Sequence, residues 1–447
     1  MFNELLRVPI VRPDVLIPVD VAAALLTIWA LLGPFRRSSR AGGRGRRLLV
    51  RAAALVVGAA VGLVLVWWLG DVQDEFGVAF TPVTRMWIAF ACAAVAMCLV
   101  VLVQGGWGRR TVAVAAAAAV LLASGLGVNV DFGAYRTIQQ AITTNPYPSG
   151  SLGHQHAVAA GTPVVDAARW TAPANMPKSG RTLSVRIPAT VSHFRARKAV
   201  VWLPPAAQTA DPPTLPVLIA LSGQPGQPSD MFQTGNLGGY LDRYAAAHHG
   251  LAPIVVSPDQ LGAPNRNPMC VDSRRLGRSA TYVMTDTVRW ITDHLDVAST
   301  PDAWGITGFS EGATCAMQFS TEHPGVFGTA LAISSELTVK NGSLANTVRV
   351  GFGGSRAAYE AAAPIATMRR DAPYHDHLTV FGFGQDDAPY RASTTALRDA
   401  AVQAGMQTSV IVSPGSAHDW NTVRYVLANG LPAVVAHLGL PSMRGAL

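Results

Sequence analysis

A chain of 447 residues is long enough for two or three domains with cores of their own. Only 14% of its residues are charged, and a mean hydropathy of +0.26 is too apolar for an ordinary soluble enzyme, which points to membrane spans. The net charge of +8 does not describe a nucleic-acid groove: Arg36, Arg37, Arg40, Arg44, Arg46 and Arg47 crowd one short loop, Arg109 and Arg110 another, and these eight equal the whole excess.

Four apolar stretches come first, at Leu16–Phe35, Leu48–Gly70, Arg85–Val103 and Thr111–Val130. Each is close to the ~20 residues that cross a bilayer as a helix. They predict an all-α transmembrane anchor of four helices over residues 1–133, with no cleaved leader. Trp67 and Trp68 close the second span and Trp87 opens the third, as interfacial aromatics do. Both arginine loops are expected in the cytoplasm, with the acidic connector "DVQDEFG" at 71–77 and both termini outside. Arg51, near the inner end of the second span, is expected to snorkel to the interface. The rest of a multi-pass protein of the cell membrane is then extracytoplasmic.

Residues 134–180 are rich in Ala, Thr, Pro, Ser and Gly and read as a juxtamembrane linker. From Arg181 to Leu447 the texture becomes that of a catalytic domain. "RTLSVRIPAT" and "KAVVWLPP" predict an opening antiparallel pair. Short apolar runs follow at 216–223, 252–259, 303–310, 328–335, 377–384 and 407–414, with segments of helical length between most of them. That alternation predicts a doubly wound, mostly parallel sheet of the α/β-hydrolase kind, binding ligands at the carboxyl ends of its strands.

"GITGFSEGATCAM" at 305–317 lies at one such end. Gly308-Phe309-Ser310-Glu311-Gly312 has the G-x-S-x-G spacing of an acyl-transfer nucleophile, with a strand before it and a helix after it. Ser310 is therefore the candidate nucleophile. The base should follow the last strand, where "GSAHDW" places His418. The acid should follow the strand before that. "GQDDAPY" offers Asp387, with Asp386 as the alternative and Glu336 as a weaker third. The oxyanion donors expected are the N–H of Glu311 and, because Pro225 has none, the N–H of Gln224.

"HQH" at 154–156 and "HDH" at 375–377 complete no familiar metal spacing, so no metal or cofactor is expected. Cys270 and Cys315 both fall on segments reaching the catalytic edge. In an oxidising compartment they are expected to form a disulfide, two separate buried thiols being the alternative.

These segments give the chain a resemblance to the putative-esterase branch of the α/β-hydrolases, which includes mycolyltransferases and enterochelin-esterase-like enzymes of actinobacterial envelopes. It covers about residues 181–440 and rests on "ARKAVVWLPPA", "LSGQPGQPSDMF", "IVVSPD", "GFSEGA" and "PGSAHDW". The donor loop departs from the usual H-G start by reading Ser222-Gly223. The resemblance implies serine ester chemistry. The multi-span anchor and the "NPMCVDS" loop look similar to envelope esterases, some resembling hydrolases of aminoacylated phosphatidylglycerol. The expectation is a membrane-anchored esterase whose partners are the lipid bilayer and an envelope ester. The alternatives are an acyltransferase passing the acyl group to a sugar or lipid alcohol, and a non-catalytic sensor or scaffold.

Overall fold

The apolar runs of the first third become four long helices: α1 (Pro13–Leu32), α2 (Ala41–Val66), α3 (Pro82–Gln104) and α4 (Trp107–Phe132). A π-helical turn, Trp67–Val72, continues α2. The structure is a computed structural model that describes residues 2–32, 41–73, 78, 80–142, 145–153, 159 and 161–443. It divides into two units, Met1–Thr144 and Asn145–Leu447.

All four helices are long and apolar enough to cross a membrane. Pro82 opens α3 behind Thr81, whose hydroxyl caps the Thr84 N–H. Gly58 and Gly62, one turn apart on α2, let its backbone approach α3: a Cβ at Gly58 would lie 2.7 Å from Ala96 Cβ and from Cys92 O. Arg51 does not snorkel. It is fully buried in this unit, and its Nη1 donates to Ala30 O and Leu31 O at 3.0 and 3.1 Å, the carbonyls left orphaned at the end of α1. Arg36, Arg37, Arg40, Asp74 and Glu75 lie outside the described residues, as do the "HQH" histidines.

The second unit is built on eight strands: β1 (Arg181–Val185), β2 (Ala199–Leu203), β3 (Val217–Leu221), β4 (Ile254–Ser257), β5 (Trp304–Phe309), β6 (Thr329–Ile333), β7 (Leu378–Gly384) and β8 (Gln407–Ser413). Their order is β1-β2-β4-β3-β5-β6-β7-β8. β1 and β2 pair antiparallel, as do β2 and β4, and every other pair is parallel. This is the expected α/β-hydrolase sheet. β3 and β5 read as unbroken apolar runs because helices cover both faces, leaving every residue of both strands buried. In-register pairs such as Leu221 with Gly308 and Phe309 with Ile333 bring the strand ends to one edge.

Two features depart from the sequence reading. The unit begins at Asn145 rather than at Arg181, because described residues between 145 and 180 pack on it: Tyr147, Val164, Trp170 and Met176 lie against its core, and Trp170 Nε1 donates to His249 O at 3.0 Å. A Pro- and Gly-rich composition excludes regular elements, not packing. Between β6 and β7 three helices intervene, α5 (Leu344–Gly351), α6 (Arg356–Ala361) and α7 (Pro364–Asp371). The segment leading into them is seated on the 267–278 loop by a small cluster of Met269, Val271 and Val339, against which Val350 packs, and by bonds from Asn267 Nδ2 to Lys340 O and from Asn341 Nδ2 to Asn267 O at 3.0 and 2.8 Å.

Candidate active site

β5 ends at Phe309, and the helix that follows it, Glu311–Glu322, starts one residue after Ser310. Ser310 turns the corner alone, with φ 57° and ψ −120°, a strained backbone that aims its side chain off the top of the sheet. The flanking glycines are sterically required. A Cβ at Gly308 would sit 2.3 Å from the carbonyl of Gly312, and one at Gly312 would sit 2.4 Å from both Leu221 O and Ser222 O. Gly312→Ala is therefore expected to destabilise the catalytic unit by more than about 3 kcal/mol. It should be read as a lowered Tm of the full chain in detergent, and an unchanged Tm would contradict this packing.

His418 stands beyond β8 on a loop closed by Asp419. That carboxylate accepts from the N–H groups of Ala417, Asn421 and Thr422 and so caps the last helix, Trp420–His437. The imidazole lies between two aromatic rings, Phe309 at 4.8 Å and Tyr390 at 4.1 Å, which hold its plane. His418 Nε2 is 2.9 Å from Ser310 Oγ, and Nδ1 is 3.1 Å from Asp387 Oδ2. Asp387 is fully buried at the start of the helix Ala388–Gln403, where the helix dipole favours its charge. Ser334 Oγ donates to it at 3.4 Å. Asp386, one residue earlier, has its N–H held by Ser416 O and its side chain exposed, so it does not reach the imidazole. Glu336 pairs with Lys340 at 2.9 Å instead.

Gly223 passes directly over the serine, its Cβ position lying 3.4 Å from Ser310 Cβ. Gln224 follows it at the mouth. Among the described residues no backbone hydrogen bond of a turn or loop claims the N–H of Gln224 or of Glu311, the latter being an orphan of the helix start. The chain thus brings together a hydroxyl, a base and a buried acid, with Gly223 of the expected donor loop beside the serine.

The family model described as "Putative esterase" matches residues 192–420, just over half of the chain. The chain belongs to that esterase family. It is accordingly an esterase-family hydrolase of carboxylic esters. An uncharacterized protein of Corynebacterium glutamicum is 29% identical over 446 residues, covering 98% of this chain and 99% of its own length. Among solved structures, a ferulic acid esterase is 18% identical, covers 58% of this chain and 98% of its own, and superposes with a TM-score of 0.48. An S-formylglutathione hydrolase of Agrobacterium tumefaciens is 17% identical, with coverages of 58% and 95% and a TM-score of 0.47.

In this esterase the side chain next to the nucleophile carries information that the motif alone does not. Glu311 points down into the protein. Its Oε2 accepts from Gln260 Nε2 at 3.1 Å, and the same amide nitrogen donates to Ser222 O at 2.7 Å. The carboxyl therefore ties the nucleophile turn to the start of the donor loop. Cys270 and Cys315 are joined in a disulfide, and Glu311 Oε1 lies 3.2 Å from Cys315 Sγ. Neither sulfur of a disulfide bears hydrogen, so a hydrogen bond across that contact requires the proton to be on Glu311. Its surroundings agree. Burial, with Glu336 and Asp259 as nearby like charges, pushes the carboxyl up to about 8 against the lowering effect of Gln260.

A carboxyl that keeps its proton from about 4.5 to about 8 in the folded state means that the fold binds the extra proton over that window. The stability contributed by neutral Glu311 is then full below pH 4.5 and falls as pH rises towards 8. Glu311→Gln is expected to flatten this slope, measured as Tm against pH from 5 to 9 for both proteins. Parallel slopes would rule out the buried proton.

Among the described residues, Cys270, Glu311 and Cys315 form a group of metal-ligand type within 4.8 Å, but both sulfurs are spent in the disulfide. The "HDH" segment is divided: His377 is buried, its pKa lowered to about 4 by burial and by nearby His437, while Asp376 lies 3.5 Å from His437. Sequence reasoning missed Gln260, Phe309, Tyr390 and Asp419 as supports. Gln260, Phe309 and Tyr390 act through contacts between segments whose spacing in the chain is arbitrary, whereas Asp419 bonds its near neighbours and an N-cap signal before the last helix could have found it.

Proposed function

We propose that this protein is a serine esterase carried on four membrane spans, its catalytic unit outside the cytoplasm, that hydrolyses an ester of an envelope lipid or of another acylated envelope molecule. The observation that carries the reading is the hydrogen-bonded run from Ser310 Oγ through His418 to Asp387. Ser310 Oγ attacks the ester carbonyl while His418 Nε2 takes its proton, and Asp387 stabilises the imidazolium. The tetrahedral oxyanion is held by the N–H groups of Glu311 and Gln224. Collapse expels the alcohol, which receives the proton from His418 and leaves an acyl-serine. Water then attacks with His418 again as base, releasing the carboxylic acid and restoring the hydroxyl.

Clustered arginines between the first two spans and after the third support the external placement. Tethering favours esters presented at the membrane, and an aminoacylated phosphatidylglycerol is within that class. An alcohol acceptor in place of water would turn the same acyl-enzyme into a transferase, and product analysis with and without a sugar acceptor separates the two.

A fluorophosphonate probe should label the wild-type chain in membranes and leave Ser310→Ala unlabelled. No labelling of the wild type, where a known serine esterase labels, would overturn the esterase reading. A periplasmic-type phosphatase fused after Leu447 is expected to be active, and a cytoplasmic reporter silent there. The reverse would invert the topology.

A further inference from the structure

A recess opens beside the donor loop, with a volume of about 320 Å³. What distinguishes it is a surplus of donors. Lys198 Nζ donates to Ser149 Oγ at 2.7 Å, which leaves two further N–H groups. Arg197 spends Nε and Nη2 on Asp259 and on Gly226 O, and among the described residues its Nη1 meets no acceptor. Ser184 Oγ accepts from Asn145 Nδ2 and Ser229 Oγ accepts from Gln233 Nε2, at 3.2 and 2.8 Å. Among the described residues none of the hydroxyls of Ser149, Ser184 and Ser229 donates in its turn. Two of those serines are almost wholly buried, Ser184 at 3% exposed and Ser229 at 1%.

The acidic groups nearby are already occupied. Asp259 is fully buried and accepts from Arg197 N, Nε and Nη2 and from Gly262 N. Asp230 accepts from the Gln227 N–H at 2.8 Å, and burial pushes its carboxyl up to about 6. Neither carboxylate lines the recess. Lys198, Arg197 and three hydroxyls therefore line one space with N–H and O–H groups to spare, as a tetrahedral oxyanion with several lone pairs requires.

The geometry points to an anion subsite, in which Lys198, Ser149, Ser184 and Ser229 bind a phosphate group. The proposal rests on the esterase reading for its role: it makes the preferred substrate an ester that also bears a phosphate. Gln227 lies three residues after the donor Gln224, a span of at most about 11 Å of chain. A phosphate held here suits an ester whose carbonyl is a few bonds from its phosphodiester, as in an acylated glycerophosphate headgroup. Arg197 couples the two places, since its Nη2 grips Gly226 O between them at 3.0 Å.

The test uses the full chain in detergent. Inorganic phosphate binding is measured by calorimetry on Ser310→Ala alone and on Ser310→Ala carrying Lys198→Gln and Ser229→Ala. Binding that falls tenfold or more in the triple variant supports the subsite, because the variant removes a charged and a buried donor from the anion. Turnover then identifies the source of the anion. If the ratio of kcat/KM for a phosphatidylglycerol ester over a neutral glyceride ester falls about tenfold in Lys198→Gln/Ser229→Ala, the phosphate belongs to the substrate. If that ratio is unmoved while phosphate binding is lost, the site takes free phosphate. Phosphate binding that is absent, or equal in all proteins, overturns the proposal. Because binding is read on an inactive chain, failure of the esterase reading would leave this result interpretable.

Discussion

Ser310→Ala is expected to lower ester turnover by at least about 10³-fold, with substrate binding kept. The argument is chemical before it is structural. Alanine removes the oxygen proposed to attack the carbonyl, while the two proposed N–H donors, at Glu311 and Gln224, would remain to bind the oxyanion of a reaction with water. Removing a triad nucleophile from such a site typically leaves about 10³–10⁴-fold catalysis over water, from donors and binding alone. The backbone should tolerate the change. The Ser310 N–H is held by Ile333 O at 2.9 Å, the turn is set by Gly308 and Gly312, and the substitution removes only the oxygen. The measurement is kcat and KM on a short-chain ester, with Tm as the control for folding. Turnover within tenfold of wild type at unchanged Tm would remove Ser310 from the chemistry and point to another nucleophile.

The serine and the histidine could be found in the sequence because the fold orders them. A strand, a sharp glycine turn and a helix are local, and the place of the histidine after the last strand follows from chain order. The sheet was accessible for a related reason: strands buried on both faces read as short apolar runs, and β3 and β5 are such runs. The supports were hidden because they depend on distance in space. Gln260 meets Glu311 across 51 positions, and Arg197 meets Asp259 across 62. Glu311 itself was read only for its N–H, since a motif does not say which way a side chain points. The 145–180 segment was misread for the opposite reason. Its composition disfavours helix and strand, but Tyr147 and Trp170 pack their rings against the core without either.

Choosing between Asp386 and Asp387 illustrates the limit most sharply, and it leads to the second large expected effect. Adjacent carboxylates at a strand end are equivalent in composition and nearly so in position. What separates them is a pair of backbone bonds: Ser416 O holds the Asp386 N–H at 2.9 Å, and Asp387 N bonds back to Gly384 O at 3.0 Å, so consecutive side chains leave on opposite sides. One is exposed, and the other is buried against His418 Nδ1. Asp387→Asn should lower kcat by about 10⁴-fold with little change in KM, although it keeps the shape. An amide nitrogen facing Nδ1 would force the imidazole to carry its proton on Nε2, where it must instead be free to accept from Ser310. Asp387 Oδ1 is buried with no hydrogen-bond partner among the described residues, so an asparagine in the other orientation would leave two N–H donors unsatisfied there. Asp386→Asn, on the exposed side, should remain within about threefold of wild type, as surface changes do. A larger loss in Asp386→Asn than in Asp387→Asn would reverse the assignment of the acid and require the loop after β7 to turn over during catalysis.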